Sequence, residues 1–169
     1  FVNDSTAKAA IYSYGHRNQQ GMAMDQASGK IWVHEHGPQG GADINIIEPG
    51  KNYGWPKITY GKNYDDSIIT DDTDLPGMEQ PRHYWVPSIA PSGMAFVTSD
   101  VYPAWKNNLL VGSLKFQYLG RVVIENGKVV KEEKLLDGIG RVRTVRQGPD
   151  GYIYVSIEQK GIVKLVPQN

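Results

Sequence analysis

Nineteen glycines and ten prolines are spread along all 169 residues, and this punctuation constrains the fold more than any other feature of the chain. Proline removes a backbone donor that a helix interior or a central strand needs, and glycine favours turns. No stretch of about ten or more residues keeps apolar side chains at the i, i+3, i+4, i+7 positions of an amphipathic helix. What lies between the breaks is short and rich in aromatic and β-branched residues, as in segments 30–33, 44–47, 94–97, 109–111, 121–124, 152–157 and 162–166. Runs of this length and composition read as strands. The chain is expected to be all-β.

Composition removes several function classes. Eighteen Lys and Arg balance eighteen Asp and Glu, so there is no basic excess of the kind that binds nucleic acid or an anionic membrane surface. A hydrophobic content of 40% with 21% charged residues suits a packed core and excludes the disordered class. The absence of cysteine removes disulfide frameworks, thiolate zinc sites and thiol nucleophiles. No apolar run approaches the ~18 residues of a membrane-spanning helix. Residues 1–10 lack the charged-then-apolar order of a secretory signal.

Length alone suggests one complete domain, but internal repetition argues otherwise. Ser28-Gly29 leads into Ile31-Trp32-Val33, Gly93-Met94-Ala95 leads on to Leu109-Leu110-Val111, and Gly148-Pro149-Asp150-Gly151 opens Tyr152-Ile153-Tyr154-Val155. The last two apolar triplets start 44 residues apart, inside the ~40–50 residue period of propeller blades. In a blade such a strand is expected near the central channel. A β-sandwich would give the same strand density; the period favours the propeller. At that period the chain holds three to four blades, fewer than the ~4–8 of a closed ring. An open ring leaves unpaired sheet edges, so a preceding segment is expected to complete it. Asn126-Gly127 predicts a type I′ hairpin turn. Asp65, Asp66, Asp71, Asp72, Asp74 and Glu79 crowd a stretch without strand pattern, which reads as a solvated loop, with a calcium-holding loop as the alternative.

Three clusters stand out as chemistry. Gly15-His16-Arg17-Asn18-Gln19-Gln20-Gly21 sets a guanidinium and amides between glycines, read either as a polar turn or as a donor array for carboxylates. In His34-Glu35-His36-Gly37-Pro38, two histidines face the same way on a strand. Only His16 and His83 remain to supply a third metal ligand, so a histidine metal centre is disfavoured. The Gly37 and Pro38 carbonyls suit a calcium ion better. Arg141-Val142-Arg143 places two guanidinium groups on one strand face, and Lys115 is a further cation. Such a set suits an anionic ligand with carboxylates, although a single Arg reads equally well as surface decoration.

Taken in order, His16-Arg17-Asn18-x-Gln20-Gly21, Glu35-x-Gly37-Pro38, Asn52-Tyr53-Gly54-Trp55-Pro56, Ala90-Pro91-Ser92, Ser113-Leu114-Lys115, Arg141-x-Arg143 and Pro149-Asp150-Gly151 resemble the soluble quinoprotein glucose/sorbosone dehydrogenases, especially the aldose sugar dehydrogenases. The resemblance covers essentially the whole chain. It implies the C-terminal portion, residues 1–169, of a single six-bladed β-propeller whose N-terminal blades lie outside this sequence. It implies oxidation of the C1 hydroxyl of an aldose to a lactone by hydride transfer to pyrroloquinoline quinone (PQQ), with calcium polarising the quinone. Arg17 then lies beside the quinone and the reacting carbon, Asn18 and Ser88 contact the cofactor, and Lys115, Arg141 and Arg143 hold its carboxylates and carbonyls. Gly37 and Pro38 hold the calcium. His36, Tyr84 and Trp85 are candidate sugar-facing residues. The family's general-base histidine falls in the preceding half, and no residue here matches it. Partners implied are an aldose, an external electron acceptor and the N-terminal half of the propeller; the location implied is periplasmic or secreted.

Two other classes compete. A non-catalytic propeller that binds a protein or glycan would be expected to lose Arg17, Lys115, Arg141 and Arg143, all of which are present. A calcium-dependent propeller lactonase would line its channel with acidic and amide ligands, not with cations.

Overall fold

The computed structural model describes residue 1 and residues 3–168. Four strands, β1 (Gln19–Met24), β2 (Ile31–Glu35), β3 (Ala42–Ile47) and β4 (His83–Trp85), form one sheet in sequence order. A second sheet holds β5 (Pro91–Phe96), β6 (Leu109–Ser113), β7 (Leu119–Glu125) and β8 (Lys128–Leu135), and a third holds β9 (Val142–Gln147), β10 (Ile153–Ile157) and β11 (Gly161–Lys164). Every ladder is antiparallel. One 3₁₀ turn, Pro103–Trp105, is the only helical element among the described residues, and none of them forms a helix long and apolar enough to cross a membrane.

The first strand of each sheet contacts the first strand of the next, β1 against β5 and β5 against β9. Three meanders fanning from adjacent first strands are blades of a propeller. Burial follows from this stacking. All five residues of β6 are buried, and because side chains alternate across a strand they feed two cores. Leu109 and Val111 join Trp32, Ile44, Met94 and Phe96 on one face, while Leu110 joins Ala95, Val97, Val145, Ile153 and Val155 on the other. Each such side chain contributes about 1.5–3 kcal/mol on burial. The outer sheets keep an open flank: Met22 and Met24 of β1 and Ile162 of β11 are exposed.

The expected repeats occupy equivalent places. Residues 31–33, 109–111 and 153–155 all lie in the second strand of a sheet, next to the first strands that contact one another from sheet to sheet. The even period fails in the first blade because residues 48–82 intervene between β3 and β4. That excursion is tied down by bridges from Asn52 to Tyr14 and Met78 and from Gln39 to Lys62. Its acidic side chains find local partners: Asp65 caps Ser67, Asp66 pairs with Lys62 and Glu79 with Lys51. No group of three or more His, Cys, Asp or Glu gathers to hold a metal among the described residues. The β7–β8 turn has positive φ at both Asn126 (52°) and Gly127 (72°), with Glu125 paired to Lys128, as a type I′ turn requires.

A half-buried carboxylate joins two blades. Glu132 of β8 accepts hydrogen bonds from Trp85 Nε1 (2.9 Å) and Tyr118 OH (3.2 Å), and its Oε2 lies 3.2 Å from His83 Nε2 of β4. Burial acts to raise its pKa, but the bonds from His83, Trp85 and Tyr118 outweigh burial and hold it below the ordinary value. The Tyr118 hydroxyl is pushed the other way, well above the ordinary phenol value, by burial and by the Glu132 charge.

His34 lies fully buried in β2 with neither ring nitrogen hydrogen-bonded. Burial, with the nearby His36, lowers its pKa from 6.5 to about 4. The unfolded chain therefore binds a proton between about pH 6.5 and 4 that the folded chain refuses, so stability falls as pH is lowered through that window. At 1.36 kcal/mol per pKa unit the loss approaches about 3 kcal/mol by pH 4. His34→Leu should remove this slope, giving a variant whose advantage over the parent in urea melts grows on acidification.

Candidate functional site

The residues that stood out in sequence come to one rim of the fan. Arg17 and Asn18 precede β1, and His36, Gly37 and Pro38 follow β2 at the same end, where Gln19 pairs with Glu35. Ser88 lies between the end of β4 and the start of β5, Lys115 follows the end of β6, and Arg141 and Arg143 open β9. Contacts carry the rim from blade to blade. His36 Nε2 lies 2.6 Å from the Pro91 carbonyl, and Ser92 Oγ donates to the Val142 carbonyl at 2.6 Å.

A cavity of about 320 Å³ opens on this rim, lined by His36, Gly37, Pro38, Ser88 and Lys115 together with Gln39, Gly40, Tyr64 and Ala90. Lys115 Nζ stands 5.2 Å from the Phe116 ring and makes no salt bridge among the described residues. The Gly37 and Pro38 carbonyls accept no hydrogen bond among the described residues. The loop demands glycine at 37, because a Cβ there would lie 2.2 Å from the Gly40 carbonyl oxygen. Two carbonyls without a hydrogen-bond donor suit a hard cation, which completes its usual six to eight oxygens from ligand and water. A lone ammonium and the Ser88 hydroxyl beside them suit an anionic ligand. The donor set therefore fits both calcium and a carboxylate-bearing quinone.

Arg17 sits against a smaller recess that shares His36 and Gly37 with this cavity and adds Glu35, Asp43, Tyr53 and Trp55. Its guanidinium donates to the His36 carbonyl at 3.0 Å and lies 5.3 Å from the centre of the Trp55 ring. Burial, reinforced by the Glu35 charge, raises the Asp43 pKa well above the ordinary value. Burial, with the neighbouring Arg17 charge, lowers the His36 pKa below the ordinary value, even though the Pro91 carbonyl favours its protonated form.

The remaining candidates divide. Arg141 and Arg143 do share one face, since both reach Glu158 Oε2 at 2.7 Å. Arg141 lines a separate cavity of about 340 Å³ with Gln117, Gly140 and Lys160, whose lining does not include Lys115. Asn18 is exposed; its side-chain oxygen accepts from Gln20 and its backbone N–H donates to Glu35. Tyr84 is half-exposed and stacked on Tyr60 at 3.8 Å. Trp85 lies in the core, 6% exposed, with its indole N–H donated to Glu132. Adjacent residues of a strand point to opposite faces, so only one of the pair can be outside. Tyr64, absent from the sequence reading, lines the main cavity from the 48–82 excursion, where no strand pattern marks it.

Comparison with known proteins agrees with this geometry. Residues 1–165 match the Glucose / Sorbosone dehydrogenase family, and the chain belongs to it. It is 44% identical, over its full length, to 47% of the aldose sugar dehydrogenase YliI of Escherichia coli (strain K12). A glucose dehydrogenase crystal structure superposes with a TM-score of 0.93 at 46% identity, over 99% of this chain and 50% of the other. The PQQ-bound aldose sugar dehydrogenase of Streptomyces coelicolor gives a TM-score of 0.69 at 25% identity, over 91% of this chain and 44% of the other. The fold is thus part of a six-bladed propeller, and the chain spans about half the length of the relatives it matches.

Gly37→Ala should disrupt the 36–41 loop. We expect weakened binding of calcium, measured by isothermal titration, with a loss larger than that for Gly50→Ala, where the added Cβ meets nothing within 4 Å.

Proposed function

We propose that this chain is the C-terminal portion of a single propeller domain that oxidises the C1 hydroxyl of aldose sugars to lactones, using PQQ and calcium. The observation that carries the reading is the rim cavity, where a free ammonium, a hydroxyl and two unclaimed carbonyls converge beside Arg17. The family and the PQQ-bound relative support it. When bound, PQQ supplies a two-electron acceptor and calcium polarises its reacting carbonyl.

The chain's own residues bind and orient. Gly37 and Pro38 hold the cation through backbone oxygens, which keep their geometry at any pH. Lys115 and Ser88 take the cofactor's carboxylates and carbonyls. Arg141 pairs with Glu158, its Nε 2.7 Å from Oε2, and its guanidinium would serve the same purpose, with Arg143 and Asn18 beside it in role. Arg17 would supply positive charge beside the quinone, favouring its reduced form. The side chains of His36 and Tyr84 border the sugar. The general base is supplied by the preceding half of the propeller, which also covers the open flank of β1. An external acceptor reoxidises the cofactor, and the protein works in the periplasm or outside the cell.

The protein carrying the preceding blades should show PQQ-dependent absorbance changes and aldose-dependent dye reduction in the presence of calcium. Complete absence of both would overturn the reading. A charge-assisted hydrogen bond contributes about 1.5–3 kcal/mol, so Lys115→Ala or Arg141→Ala should weaken PQQ binding by roughly 10–100-fold. Unchanged affinity would remove those residues from the cofactor site.

A further inference from the structure

His16 and Glu35 lie 19 residues apart in sequence and touch in the fold, His16 Nδ1 standing 2.9 Å from Glu35 Oε1. Both are largely shielded from solvent, with side-chain exposures of 11% and 7%. The imidazole is held on its other edge by Ser13 Oγ, 2.8 Å from Nε2, and on its face by the Tyr53 ring, stacked at 4.6 Å. The second carboxylate oxygen of Glu35 accepts the backbone N–H of Arg17 at 2.5 Å and of Asn18 at 3.2 Å. A buried carboxylate is costly unless its lone pairs are filled, and this one is filled by the backbone of the two proposed cofactor ligands.

The grip is returned. Arg17 donates its guanidinium to the His36 carbonyl, and the His36 N–H donates to the Asn18 carbonyl at 2.8 Å. The β1–β2 ladder is irregular here, with Gln19 opposite Glu35 but Gly21 opposite His34. A bulge of this kind interrupts ladder bonds; the carboxylate and guanidinium replace them. The connectivity Ser13–His16–Glu35 is that of a nucleophilic triad, yet its acidic end holds the Arg17-Asn18 backbone in place.

We propose that His16 and Glu35 are positioning residues whose pairing locks Arg17-Asn18 onto His36-Gly37-Pro38, fixing the Arg17 guanidinium relative to the two carbonyls. The inference rests on the proposed PQQ- and calcium-dependent function for its catalytic consequence, though not for the clamp itself. His16 is the more informative of the two, because it touches no proposed ligand and acts only through Glu35. An asparagine at 16 can present its side-chain N–H₂ near the place of Nδ1 and restore the bond to Glu35, losing the Ser13 contact and the Tyr53 stacking.

The test compares His16→Ala, His16→Asn and Glu35→Gln with the parent, each in the protein carrying the preceding blades. Amide hydrogen exchange at Arg17 and Asn18 is read first, then PQQ affinity by absorbance titration with calcium present, then kcat and KM for an aldose. In His16→Ala and Glu35→Gln, exchange at those two amides should quicken by about tenfold or more. Quinone affinity and kcat should fall by about 10–100-fold, the range for removing a partner that orients a ligand, with KM within about threefold. His16→Asn should recover most of each loss. Parent-like exchange in folded variants would overturn the clamp. Faster exchange with unchanged affinity and kcat would overturn its positioning role, and so would a uniform loss that tracks Tm and is no smaller in His16→Asn. A parent that bound no quinone would instead count against the proposed function, and the exchange rates would still decide the clamp.

Discussion

Burial of the first two strands of the middle sheet on both faces is the constraint from which the rest of the structure follows. β5 and β6 send alternate side chains into two separate cores, Met94, Phe96, Leu109 and Val111 to one and Ala95 and Leu110 to the other. Strands in that position have no solvent face on which to place a charge, and the charged side chains of this sheet stand on β7 and β8. Among these Glu132 is half-buried, and three groups meet it: an indole, an imidazole and a phenol. It joins β4 to β8 by direction as well as by contact, which sheet stacking alone does not do. Apolar burial sets how close the blades lie, and a directional bond at the outer strands helps to set how they are turned.

A second carboxylate has a different task. Glu132 is filled by side chains of two sheets; Glu35 is filled by one imidazole and two backbone amides of a single short segment. The first braces blades and the second braces a loop. This contrast explains why the two are embedded so differently in sequence, Glu132 in a long strand of alternating exposure and Glu35 at the last residue of β2, where the chain leaves the ladder for the Gly37–Pro38 turn. Backbone groups form the site's fixed geometry on both sides of that clamp. Side chains with long stems, Lys115 and Arg141, supply the charge that must adapt to a ligand.

What could be read in sequence was what is local. β6 and β10 are short, apolar and flanked by turn residues, and Asn126-Gly127 dictates its own hairpin. The alternation Arg141-x-Arg143 correctly placed two cations on one face, because period two needs no knowledge of the partner strand. β1 was missed as a strand: QQGMAM carries a glycine, two amides and no β-branched residue, and is held by its neighbours, not by propensity. β4 has three residues, too few for alternation to say whether Tyr84 or Trp85 points inward; Glu132, 47 residues away in sequence, decides it. Likewise nothing near Arg141 announces Glu158, and nothing near His16 announces Glu35. The 48–82 excursion hid the blade period in the first sheet and carried Tyr64 to the cavity without any pattern to mark it.

The candidate site falls on the rim where short passages have irregular backbone. At the far end of the sheets lie the turn between β1 and β2, the two-residue Asn126-Gly127 hairpin between β7 and β8 and the Gly148–Tyr152 turn between β9 and β10, and also the two longest connections, 48–82 and 97–108. The tight turns among these are dictated by backbone geometry and leave little room for side chains to be chosen for anything else. The near rim carries short but irregular passages, among them 36–41, 86–90 and 114–118, together with the bulge before Gly21. There the backbone can leave a carbonyl unclaimed or aim a guanidinium without opening the core. A propeller built from meanders thus separates the residues that make it stable from those that can bind. The clamp between 16–18 and 35–36 is what an irregular rim needs in order to be rigid as well as free.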